Sequence, residues 1–203
     1  MSKPPQNPTR RVMMTGMALF PLATAETGWP VFPEATRLIA AARRQIGVTV
    51  DYDPAYVSLA YPGGDVPRET GVCIDVVIRA YRDAFGFDFQ KAIHEDMRTN
   101  FGAYPKTWGL RRPDTNIDHR RVPNLETWLT RNATELPTND WEPGDLLTCL
   151  VDESLPHIAI ISDRQSPWGD PLVIHNIGLG AREERIIGRF ELERRFRFYP
   201  AGA

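Results

Sequence analysis

The chain of 203 residues is 42% hydrophobic and 25% charged, with a formal net charge of −2. That balance suits one globular domain with a buried core and argues against a disordered or membrane-spanning chain. No block of like charges marks a nucleic-acid-binding face, and two cysteines are too few for a disulfide scaffold.

The first 25 residues read differently from the rest. A basic leader, MSKPPQNPTRR, precedes the apolar stretch VMMTGMALFPLATA and the small residues Ala23, Thr24 and Ala25. This is the order of a cleavable export signal over residues 1–25. Its apolar run is shorter than the roughly 20 residues a helix needs to cross a bilayer. Thr9, Arg10, Arg11 and Val12 resemble a twin-arginine signal. The expected location is therefore periplasmic or secreted, with no stable membrane insertion once the signal is removed and one domain over residues 32–200.

Pro33 and the spacing of Leu38, Ile39, Ala42 and Ile46 predict a first amphipathic helix ending at Gly47. VTVDYDPAYVSLAYPGGDVPRET reads as an ordered loop, because its aromatic rings need packing partners. A second helix follows, with Thr70 as cap, Gly71 at its opening and Val72, Val76, Val77, Ala80 and Ala84 on its apolar face up to Gly86. FQKAIHEDMRTNF gives a third, and Asn124 is placed to cap a fourth over LETWLTRN. From Trp141 the period changes to that of strands in WEPGDLLTCLV, PHIAIISD, PLVIHNIG and REERIIGRFELERRFRFYP. N-terminal helices packed on an antiparallel β-sheet make an α+β fold.

Cys73 stands in the first turn of the second helix, where free N–H groups and the helix dipole favour a thiolate. Its other reading is a small buried hydrophobe. His157 opens the strand HIAIIS and His175 lies in VIHNIG on the next. Two histidines facing a helix start that carries a cysteine supply a nucleophile, a base and an orienting group; otherwise each is a strand histidine satisfied by a backbone carbonyl. Cys149 sits in an alternating apolar run and reads as core, and a bridge to Cys73 is the one disulfide available. No CxxC or HExxH spacing is present, so no metal or other cofactor is expected. His94, Glu95 and Asp96 are neighbours on one helix and point different ways, which reads as an exposed helix face.

The order GVCIDVVIRAY, WEPGDLLTCLV, HIAIIS, VIHNIG resembles the NlpC/P60 superfamily of papain-like cysteine peptidases. DVPRETGVCIDVVIRAYR, HEDMRTNFGAYP and RRPDTNIDHRRVPNLETW are similar to the DUF1287 family within it, over about residues 35–199. The resemblance implies a papain-like, NlpC/P60-type fold with Cys73 as nucleophile, His157 as base and His175 as the orienting residue. Asn176 is the substitute for His175, since strand alternation lets only one of an adjacent pair face the cleft. Many of these enzymes carry Asp-Cys-Ser, where this chain has Val72, Cys73 and Ile74 with Asp75 as the nearby acid. Tyr61, 12 residues before Cys73, stands close to a tyrosine that lines the oxyanion and substrate region in the superfamily, with Tyr56 and Tyr52 as alternatives.

The activity implied is amide hydrolysis, as an amidase or endopeptidase, and the substrate implied is the stem peptide of peptidoglycan or another envelope peptide. Arg111, Arg112, Arg120 and Arg121 are placed to grip carboxylates of such a peptide bidentately, or else to pin their own loop through Asp114 and Asp118. Three other function classes stay open. One is a non-catalytic envelope-binding domain on the same fold. Another is a metal-dependent hydrolase using His157, His175, His119 and Asp118. The last is acyl transfer or deamidation on a different target.

Overall fold

The first helix, α1 (Pro33–Arg43), places Leu38, Ile39 and Ala42 on one face at the helical period, and all three are fully buried. The computed structural model describes Met1 and residues 31–202, so the leader read as an export signal lies outside the described residues. Helix α2 (Cys73–Phe85) packs along α1, and both lie on one face of a six-stranded sheet. Helices α3 (Phe89–Asn100) and α4 (Val122–Asn132) follow, joined through two short 3-10 turns, Phe101–Ala103 and Asp118–Arg120.

The strands are β1 (Thr134–Leu136), β2 (Leu146–Val151), β3 (Leu155–Gln165), β4 (Pro171–Asn176), β5 (Ala181–Glu184) and β6 (Glu191–Arg197). They form one antiparallel sheet in the order β1-β6-β2-β3-β4-β5. The fold is therefore α+β, with N-terminal helices against an antiparallel sheet, as in NlpC/P60-type proteins.

Alternation along the strands divides the core. Leu146, Ile158, Ile160, Ile174 and Phe196 face the helices and join their main cluster. Leu147, Cys149, Ala159, Ile161 and Val173 face the other way and pack with Ile186. Each fully buried aliphatic side chain contributes about 1.5–3 kcal/mol. Among the described residues no helix is long and apolar enough to cross a membrane.

Several boundaries differ from those the sequence predicts. Helix α1 stops at Arg43 because that side chain turns to the sheet, reaching Glu183 at 2.6 Å and Asp163 at 2.5 Å, while Ile46 is left exposed. Helix α2 opens at Cys73: the Asp75 carboxylate accepts the Val72 N–H at 2.7 Å, whereas Thr70 donates its hydroxyl to Pro67. Asn124 lies inside α4 and donates to the Asp118 carbonyl at 3.0 Å, so it does not cap the helix. The last strand-like stretch divides at Ile186, which turns into the second apolar cluster between β5 and β6.

Candidate active site

The start of α2 meets the sheet at a gap. Ile161 exchanges backbone hydrogen bonds with Gly144 and Asp145, so odd residues of β3 bond toward β2 and even ones toward β4. Pairing of β3 with β4 begins only at Ile160 and Ile174. The Ile158 N–H is thus free of the ladder, and it lowers the pKa of the nearby Cys73 thiol. Asn176 holds the other side of the gap, donating to the Gly71 carbonyl at 2.9 Å.

The loop before Cys73 is fixed by Arg79, a fully buried guanidinium. It pairs with Asp65 at 3.0 Å and donates to the carbonyls of Val66, Pro67 and Thr70 at 2.9–3.1 Å. A side chain on Gly71 would come within 3.1 Å of both Arg79 and Asp75, which is why the residue two before the cysteine has none. Asp75 itself is committed. It receives Arg120 bidentately, Nε to Oδ1 at 2.9 Å and Nη2 to Oδ2 at 2.8 Å, besides the Val72 N–H.

Cys73 is 4% exposed, and burial governs its thiol. Despite the N–H groups of Ile158, Ile74 and Cys73 itself, burial aided by Asp75 pushes the pKa up to about 11. Burial thus opposes the thiolate expected from the helix start. Cys149 is likewise a buried free thiol, on the opposite face of the sheet, and no disulfide joins the two.

His157 lies opposite Cys149 in the β2–β3 register, immediately before the Ile158 amide. Its Nε2 lies 2.8 Å from Nδ1 of His175. His175 in turn places Nε2 3.1 Å from Oε1 of Glu184 on β5. Burial and the neighbouring His175 push the pKa of His157 down to about 3; burial also lowers that of His175, against the pull of Glu184. Both rings are therefore neutral at rest.

Their tautomers follow from the acid at the end of the chain. A carboxylate only accepts, so His175 donates from Nε2 and must accept at Nδ1. His157 then donates from Nε2, and its Nδ1 lone pair is bare. No hydrogen bond joins Cys73 to either histidine: strand alternation puts both rings on the face that carries Cys149, away from α2, and neither lines the cavity at Cys73. Of the adjacent pair, His175 meets His157 while Asn176 turns to the helix side, as alternation requires.

A cavity of about 210 Å³ opens on Cys73, bounded by Tyr52, Val72, Trp108, Arg121, Val122 and Pro156. Tyr52 carries the phenol of this cavity; Tyr61 packs edge-on against His94 of α3, 5.1 Å between ring centroids, and does not line it. Burial, with Cys73 and Asp75 nearby, pushes the Tyr52 pKa up to about 12, so the hydroxyl keeps its proton. Arg120 borders the cavity but is held by Asp75, and Arg111 and Arg112 line a separate surface groove with Tyr56. Asp96 is a structural node that accepts from Tyr104, Asn100 and Arg131. Among the described residues no group of three or more His, Cys, Asp or Glu side chains is placed to hold a metal ion.

Glu184 escapes the sequence reading. It lies in REER, among charges that look like a solvated strand, and only the register His175–Arg182 brings it beside the histidine face. The chain is 48% identical over 204 residues to the uncharacterized protein YijF of Escherichia coli (strain K12), covering 92% of this chain and 99% of that protein. The family model described as a domain of unknown function, DUF1287, matches residues 39–198. With that match over the helices, the cysteine and both histidines, the chain belongs to the DUF1287 family of the NlpC/P60-like clan.

Proposed function

We propose that this protein is an exported papain-like cysteine hydrolase that cleaves amide bonds in peptidoglycan stem peptides. The observation that carries the reading is Cys73 at the start of α2 with a cavity open to its thiol; the buried chain His157–His175–Glu184 lies across the sheet from it. Residues 1–25 would direct export and residues 32–200 form the catalytic domain, acting in the periplasm or outside the cell.

In this reading the thiol and imidazole start neutral, and the His157 side chain moves from the Cys149 face of the sheet to the Cys73 side, where its Nδ1 takes the thiol proton as the sulfur adds to the amide carbonyl. His175, oriented by Glu184, steadies the imidazolium that forms. The Cys73 N–H and the Tyr52 hydroxyl are the donors nearest the developing oxyanion. His157 then returns the proton to the leaving amine, and water releases the acyl group. The test is incubation with isolated stem peptides. One new amine and one new carboxyl at a single amide are expected; peptides left intact while Cys73 still reacts with electrophiles would overturn the substrate.

A further inference from the structure

Four arginines lie between residues 111 and 121, and the structure gives them different surroundings. Arg120 is saturated by Asp75 and by the carbonyls of Asp53 and Ala55. Arg111 and Arg112 are exposed, in the groove away from Cys73. Arg121 alone combines a place in the Cys73 cavity with unused donors. Its guanidinium carbon lies 4.1 Å from the centroid of the Trp108 ring. Among the described residues its one acidic partner is Asp118, 3.3 Å from Nη1, and the other oxygen of Asp118 accepts the Asp114 N–H. Nε and Nη2 of Arg121 find no hydrogen-bond partner among the described residues. The guanidinium is mostly buried and meets Asp118 through Nη1 alone, which leaves the Nε–Nη2 edge for an incoming anion.

We infer that Arg121, held flat on Trp108, recognises a carboxylate on the substrate residue that occupies the Cys73 cavity. Two free N–H groups in one plane suit a carboxylate, which they bind bidentately. Val72, Val122 and Pro156 make much of the remaining wall apolar, and Tyr52 and the Asp75-paired Arg120 complete it. A space of about 210 Å³ holds one small residue, roughly the room of seven liquid waters. The substrate class is therefore a peptide with a small apolar residue bearing a free carboxylate next to the scissile amide. This assignment deepens the hydrolase reading and rests on it only for the bond that is cut.

Binding is tested apart from chemistry. The Cys73→Ala protein is titrated calorimetrically with N-acetyl-alanine and with N-acetyl-alanine amide. The acid is expected to bind about tenfold more tightly than the amide, as a charge-assisted pair exceeds a neutral one by 1.4 kcal/mol or more. Adding Arg121→Gln removes the difference, and Trp108→Leu, which leaves the guanidinium but takes away its platform, reduces it. Equal affinities, or no binding of either probe, overturn the inference.

Alkylation of the unaltered thiol separates the two readings. With iodoacetate and iodoacetamide, Arg121→Gln should slow only the charged reagent, about tenfold. A Cys73 inert to both reagents in a protein that still selects the acid would sink the nucleophile and leave the anion site. Equal effects on both reagents, with no acid preference, would do the reverse.

Discussion

Nε2 of His157 and Nδ1 of His175 lie 2.8 Å apart, and this contact sets which nitrogen of His157 is free. Glu184 enforces the arrangement through its 3.1 Å contact to His175. Glu184→Gln should lower kcat about 10- to 100-fold with little change in KM, the value of one charge-assisted hydrogen bond. His157→Ala should cost more, about 100- to 10,000-fold, as a lost general base does. Steady-state rates on a defined stem peptide check both. Equal losses in the two variants would mean that Glu184 acts through folding.

A buried thiol with a pKa near 11 makes reactivity depend on pH in a definite direction. The thiolate is the reactive form, so iodoacetamide labelling of Cys73 should keep rising from pH 7 through pH 10. A plateau below pH 8 would show a preformed thiolate–imidazolium pair. Cys149, pushed up to about 12 by burial, should label more slowly still.

Asp75 and Arg120 form a buried, bidentate pair behind the nucleophile. Asp75→Asn leaves a buried guanidinium without its counter-charge, a loss of about 3–5 kcal/mol. At roughly 2–4 °C per kcal/mol for a chain of this size, the melting temperature should fall by about 10 °C. Thermal denaturation checks this, and an unchanged midpoint would show that the pair is not needed for the fold.

His119 is almost wholly buried with an unpartnered Nδ1, and burial brings its pKa from 6.5 to about 4. The unfolded chain takes up this proton first, so stability falls as pH drops from about 6.5 to about 4, by about 3 kcal/mol for this group. His157, near 3, acts in the same sense. Asp83, Asp96, Asp163 and Glu183, all held below their ordinary values, withdraw further support at lower pH. Asp118 and Glu126, raised by burial, oppose the trend. Urea titrations across this range should show the slope, and His119→Phe should flatten it. Equal stability at pH 6.5 and pH 4 would contradict the assignment.

The helix carrying Cys73 and the strands carrying His157 and His175 are legible because their apolar periods are regular and their ends carry turn residues. The meeting of His157 with His175 follows from strand alternation once the two strands are known to be neighbours. Glu184 is not legible, since its role depends on the β4–β5 register, which local sequence does not encode. The sequence reading put Tyr61 ahead of Tyr56 and Tyr52, because a loop of mixed aromatics over residues 48–70 has no period to orient it; Tyr52 lines the cavity and Tyr61 packs against His94. The thiol shows the same limit: the helix start and its N–H groups favour the anion, but burial, which the local sequence does not report, outweighs them.

The central claim is that the Cys73 thiol attacks a stem-peptide amide with His157 as its base. The most direct measurement is mass spectrometry of purified, defined muropeptides incubated under reducing conditions with the mature protein and, in parallel, with its Cys73→Ala form. The account predicts a fragment pair from one amide, made by the unaltered protein and absent with Cys73→Ala. The same fragments at an undiminished rate from Cys73→Ala would contradict it.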